Sequence, residues 1–321
     1  MNNKTKRLDW KKISSFEYLP LILAFVIVIA FFGITADHFF AMKNFMNILL
    51  YTANVGILCC TATLLMVSGN MDLSMGSVMA LDGIVLGLCM KAELPIVLCI
   101  LIMLAVSVLT GVYNAVMITQ IKVNPFITTL AGMQIFRGAA YLLSKGKAIT
   151  LGSDVLKFIG RQYTAGIPNA VILMLILVIV FSLVAKFTTF GRRIYVIGGN
   201  QQVAWLSGIA VKKNLTVMFL LHSLLCGVCG LVYCAQLGAA MPQNATGFEF
   251  DVITAVVLGG TSMAGGKGTI IGSLIGALLI GTLNNGMVML DVQAYWQDII
   301  SGIVLVIAVV FDIIRNKQAK K

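Results

Sequence analysis

Charge is scarce in this sequence: only 11% of its 321 residues are Asp, Glu, Lys or Arg, against about a quarter in an ordinary soluble domain. Apolar residues make up 59%, and the mean hydropathy is +0.98, which excludes a soluble enzyme. At about 20 residues per helical crossing, the chain has room for some ten crossings and short connections. Any soluble catalytic machinery must therefore sit on other chains. Histidine is also scarce: His38 and His222 lie far apart, and neither belongs to an H-E-x-x-H pair, which disfavours metalloprotease chemistry. There is no G-x-S-x-G elbow and no clustered aspartate pair of the kind that binds Mg²⁺ and pyrophosphate. The tetrapeptide GGKG at Gly265 to Gly268 lacks the P-loop spacing and its preceding strand. The chain is expected to hydrolyse no nucleotide and to carry no metal or cofactor of its own.

What is present is apolar, with the basic residues at its margins. Ten apolar segments run from 19–36 to 295–314, among them 45–67, 74–90, 94–119, 215–236 and 250–264. The predicted class is an all-α polytopic membrane protein with about ten transmembrane helices, some of them broken. Its expected divisions are an N-terminal tail at 1–18, a single transmembrane domain at 19–314 and a C-terminal tail at 315–321. The formal charge of +11 falls at predicted membrane edges, so nucleic acid is not an expected partner. Placing the N-terminus inside and alternating sides puts sixteen of the 23 Lys and Arg on the cytoplasmic side, as the positive-inside rule requires. Both termini are then cytoplasmic. The 144–166 connection, with Lys145, Lys147, Lys157 and Arg161, runs against that assignment. All seven cysteines lie in apolar stretches, and Cys226 and Cys229, although a C-x-x-C, have no second pair or nearby His; packing is the favoured reading.

Two segments break helical continuity, SGNMDLSMGS at 68–77 and LGGTSMAGGKG at 258–268. Irregular backbone at membrane depth is tolerated only where protein or water satisfies it, and broken helices are common at transport sites. Tight turns between spans would carry the same composition. Asp72 sits two residues before Ser74, where capping the next helix is favoured over a direct ligand role. The 186–213 connection holds five bases and no acid. Within it Asn200 can cap a two-turn helix over Gln201 to Ser207, and Gly208 supplies a left-handed stop. Gly268, Gly272 and Gly276 recur at four-residue spacing, a small-residue stripe for helix packing or a subunit interface.

The runs SGNMDLSMGSVMAL, GRRIYVIGGNQQVAWLSGI, TGFEFDVITAVVLGGTSMAGGKGTIIGSLIGALLIGTLNNG and GIVLVIAVVFD closely resemble the permease subunits of ribose-type ABC importers, within a wider group that also handles branched-chain amino acids. The resemblance extends from about Phe39 to Asp312. It implies a bacterial inner-membrane permease that pairs with a second, identical or related permease. A cytoplasmic ATPase, which would hold the ATP and Mg, and an extracytoplasmic substrate-binding protein complete the expected set of partners, with membrane lipid around the spans. It further implies that the short helix is a coupling helix, with Gly199, Asn200 and Gly208 setting its geometry and Val203, Trp205 and Leu206 entering a groove on the ATPase. An amphipathic helix lying on lipid is the competing reading.

For a sugar, the path needs amides and carboxylates that pair with hydroxyls. Candidates in or beside the matching motifs are Asn70, Asp72, Asn124, Gln134, Glu249 and Thr261, each with capping or interhelical bonding as its alternative. A nucleoside, polyol or autoinducer-type solute would suit the same architecture. From a different class, a proton-coupled secondary transporter would use Asp82 or Asp298 as carrier and need no ATPase; an ionophore that abolished uptake at constant ATP would favour it.

Overall fold

A computed structural model describes residues 19–318, which form an almost wholly helical bundle. The basic segment 1–18 and the final residues of the basic tail lie outside the described residues. The first half of the bundle consists of α1 (Leu19–Thr35), α2 (Met42–Val67), α3 (Met75–Lys91), α4 (Ile96–Ala115) and α5 (Pro125–Ser144). A small cap follows, made of α6 (Asp154–Gly160) and two ladders. In these β1 (Ile149–Thr150) pairs with β4 (Ala239–Ala240), and β2 (Tyr163–Thr164) pairs with β3 (Ile167–Pro168). Next come α7 (Asn169–Phe187), the short α8 (Thr189–Gly199) and α9 (Gln201–Leu206), and then α10 (Val211–Leu237), α11 (Phe248–Leu258), α12 (Ile270–Met289) and α13 (Ala294–Gln318).

Among the described residues, seven helices are long and apolar enough to cross a membrane: α2, α4 with its terminal π-turn, α5, α7, α10, α12 and α13. Each of the ten apolar segments contains a helix, but α1 and α3 have 17 residues each and α11 only 11. The segment expected at 250–264 is helical only as far as Leu258. Beyond it Gly260, Gly265, Gly266 and Gly268 all adopt positive φ, a region open to glycine and costly to other residues.

α2 forms the centre of the bundle. Every residue from Thr52 to Val67 is buried, as expected of a helix that is apolar all round. α10 and α12 pack beside it. By contrast α4, α7 and α13 show Leu101, Leu109, Ile176, Ile179, Val306 and Val310 outward, a surface suited to lipid.

The glycine stripe is an internal seam. Gly268 precedes the helix, because α12 begins only after Thr269, whose side chain caps it by accepting from the Gly272 amide. Gly272 and Gly276 are buried. A methyl group on Gly259 would meet the Gly272 backbone, and one on Gly276 would strike the Ala255 carbonyl. The face therefore presses α12 onto α11 within one chain. The cysteines are all free and all but Cys89 are buried, in keeping with a packing role.

Candidate functional site

The two breaks come together. The unwound segments 68–74 and 259–269 meet beneath α8, where the Gly266 amide donates to the Val67 carbonyl at 2.8 Å. A Cβ on Gly198 would collide with that same carbonyl, and one on Gly265 would lie 2.8 Å from the Gly198 carbonyl and 3.2 Å from Gly69 Cα. Three backbones thus touch where any side chain would hold them apart. The hydroxyl of Tyr195 on α8 donates to the Gly268 carbonyl at 2.8 Å.

On this platform stands α9. Asn200 Oδ1 accepts from the amides of Gln202 and Val203 at 2.9 and 3.0 Å, Ala204 is buried, and Gly208 ends the helix at φ +78°. Val203, Trp205 and Leu206 are 52%, 68% and 69% exposed, so three apolar side chains point away from the protein. Gly199 has nothing within 4 Å of a notional Cβ, and no close approach requires glycine there.

The first break is anchored inside the bundle. His222 sits eleven residues into α10, about 16 Å from its start, and its Nε2 is 3.7 Å from Asp72 Oδ2. Asp72 Oδ1 accepts from the amide and hydroxyl of Ser74 at 2.6 and 2.5 Å, and Oδ2 accepts from Asn114 Nδ2 at 3.2 Å. His222 Nδ1 shares a proton with the hydroxyl of Thr61 at 3.0 Å. All five groups are buried. The network ties the break to α2, α4 and α10, so the polar backbone is satisfied by protein.

At the opposite end of the bundle, Tyr51, Asn54, Tyr233, Asn244, Phe248 and Asp251 help to line a cavity of about 410 Å³. A neighbouring cavity of about 460 Å³ shares Tyr51, Asn54 and Tyr233 and adds Arg161 and Gln236. The Tyr51 hydroxyl donates to Asp251 at 2.6 Å and accepts from Asn284 Nδ2 at 2.7 Å. Asn54 Nδ2 donates to Gln236 Oε1 at 2.7 Å. Arg137 holds the loop above by donating to the Pro242 and Asn244 carbonyls at 2.6 and 2.7 Å.

The six path candidates do not converge. Asn70 bonds locally to Ser68, Asp72 belongs to the buried network, and Thr261 is buried in the second break. Asn124 is exposed and caps α5 by accepting from the Phe126 amide. Gln134 is exposed on α5. Glu249 is buried at the cavity end, within electrostatic reach of Arg137. Neither Asp82, which is buried and accepts from Ser107 at 2.7 Å, nor Asp298 lines either cavity. The cavity residues Tyr51, Asn54, Tyr233 and Gln236 lie in apolar stretches and carry no motif. Of the six path candidates, Glu249 is the one at that end of the bundle.

A membrane-embedded bundle with a polar cavity at one end and broken helices at the other is the architecture of a multi-pass transport protein. Residues 44–309 match the family described as the permease component of branched-chain amino acid transport systems, and the chain belongs to that family. A ribose import permease protein of Haemophilus influenzae is 38% identical over 294 residues, 90% of this chain and 91% of the relative. The ribose import permease protein of Bacillus subtilis is 38% identical over 94% and 93% of the two chains. A xylose transport system permease protein of Escherichia coli is 31% identical over 96% and 94%. No solved structure matches the chain.

Proposed function

We propose that the chain is the transmembrane permease subunit of an ATP-binding cassette importer for a monosaccharide, ribose-like in kind, delivered by an extracytoplasmic binding protein. The observation that carries this reading is the likeness to ribose permeases over nine-tenths of the chain, a stretch that includes both breaks, α8 and α9. The subunit lies in the inner membrane with ten crossings and cytoplasmic termini, and pairs with a second permease. A separate ATPase binds ATP and Mg.

In this reading α9 is the coupling helix. Its exposed Val203, Trp205 and Leu206 suit a helix-in-groove contact, and α8 rests backbone to backbone on both breaks. Movement of the ATPase would be passed through Gly198 to the ends of α2 and α11. The two states differ in which end of the path is open, and ATP elsewhere biases between them. No covalent chemistry takes place on this chain.

The test is a pull-down of the tagged permease from detergent, comparing wild type with the double substitution Trp205→Glu and Leu206→Glu, and scoring a co-purifying ATPase by mass and activity. The reading expects capture by the wild type and loss from a variant that remains folded. Absence of any ATPase from the wild-type preparation under gentle conditions overturns it.

A further inference from the structure

We infer that the cavity between α2, α10 and α11, at the end away from α9, is the subsite that holds a neutral polyhydroxyl solute on its way through the permease. The inference rests on the importer reading, and it adds the residues and the chemistry of the site. Phe248, Asp251 and Asn284 lie in the long run from Thr246 to Gly286, whereas Tyr51, Asn54, Tyr233 and Gln236 lie in no motif.

The geometry of the lining is fixed. Asn284 donates to Tyr51 and Tyr51 donates to Asp251, so the ring and the carboxylate are oriented before any ligand arrives. Tyr233 and Phe248 meet edge to face with centroids 6.1 Å apart and give the cavity an aromatic wall for the apolar face of a sugar ring. Asn54 Nδ2 donates to Gln236 Oε1, and the remaining Asn54 Oδ1 and Gln236 Nε2 are closed off from the open space. Asn54 is only 5% exposed. Asn54 lines both cavities and Gln236 the second, so this amide pair joins their walls. A sugar hydroxyl both donates and accepts, so it can donate to the Asp251 carboxylate that lines the first cavity.

Charge narrows the class. Among the described residues, no Lys, Arg or His lines the first cavity, whereas Asp251 does. A carboxylate or phosphate in the first cavity would meet an acid and no cation, so that cavity suits neither an amino acid nor a sugar phosphate; Arg161 stands in the adjoining one, with its Nε donating to the Gln236 carbonyl. Its size, about 410 Å³, lies within the ~300–1,000 Å³ range of small-molecule sites. The few fixed polar groups suit a site that must also release its ligand.

The experiment reconstitutes the permease with its ATPase in proteoliposomes, adds binding protein loaded with D-ribose, and measures ribose uptake and ATP hydrolysis together. Variants are Asp251→Asn and Tyr51→Phe, which keep shape and remove a charge or one hydroxyl, with Asp251→Glu as the conservative rescue. The expected result is a five- to tenfold fall in ribose carried per ATP for Asp251→Asn and Tyr51→Phe, partial recovery in Asp251→Glu, and stimulation of ATP hydrolysis by loaded binding protein within twofold of wild type. An unchanged ratio of ribose to ATP overturns the inference. Uptake and stimulated hydrolysis falling by the same factor also overturn it, because that marks a structural role. Wild-type protein showing no stimulation at all sinks the importer reading, and this inference falls with it.

Discussion

A single methyl group tests the platform under α8. On Gly198 it would collide with the Val67 carbonyl, whereas on the adjacent Gly199 it would meet nothing within 4 Å. Gly198→Ala is therefore expected to lose about 1–3 kcal/mol, the usual cost of overpacking. Gly199→Ala should stay within about 0.5 kcal/mol of wild type, as for a surface change. Thermal unfolding of the two purified variants in detergent decides the matter, and equal midpoints would mean that the three backbones do not bear on one another. Asp72 offers a second test. Removal of its carboxylate strands Ser74, Asn114 and His222 in the interior. Asp72→Ala should cost about 1–3 kcal/mol for each buried partner left unsatisfied, and Asp72→Asn less, since one acceptor survives. An Asp72→Ala protein that melts like wild type yet transports nothing would return this residue to a role on the solute. The spacing to Ser74 made the local bond legible. Asn114 and His222 were not, because they are brought in by packing from 42 and 150 residues away.

At the scale of elements, what was local could be read and what was tertiary could not. The α9 cap was legible, since an Asn before a two-turn helix can be satisfied only by the next amides, and Asn200 takes both. Asn200→Ala should fray α9 by about 1 kcal/mol and weaken ATPase capture in the pull-down by less than the Trp205 and Leu206 pair does. Capture equal to wild type would mean that the helix holds its shape by other contacts. The breaks were legible too, through their glycines. Their meeting was not, because nothing in either segment names the other. The glycine stripe shows the same limit: four-residue spacing marks a close helix contact but does not say whether the partner is α11 of the same chain or a second subunit. The cavity was the least legible element, since its tyrosines and amides sit among apolar residues with no spacing of their own.

For the whole molecule, the question is which end faces the cytoplasm, and the 144–166 connection bears on it. Two of its four bases, Lys157 and Arg161, have structural work that explains their place without reference to the membrane. Lys157 pairs with Asp154 at 2.9 Å, and Arg161 Nε donates to the Gln236 carbonyl at 2.8 Å, fastening the cap to the end of α10. The Lys157 ammonium holds the Asp154 carboxyl below its ordinary range. The contribution of this pair is thus present above the usual carboxylate pKa and lost as the pH falls through the lowered value. Topology can be read with cysteines placed at Lys147, Lys213 and Lys267, all exposed, and a membrane-impermeant maleimide. Lys147→Cys should label on intact cells, and Lys213→Cys and Lys267→Cys only after permeabilisation. The third position is the demanding one. For Lys213 and Lys267 to share a side, the chain must cross twice between them, by α10 and by α11. The 11 residues of α11 rise only about 16 Å against a hydrocarbon core of about 30 Å. The unwound 259–264 stretch must then make up part of the remaining depth, sheltered by α2 and α8 from lipid. Labelling of Lys267→Cys from outside would show that α11 turns back within the membrane, and would separate the second break from the coupling end of the bundle.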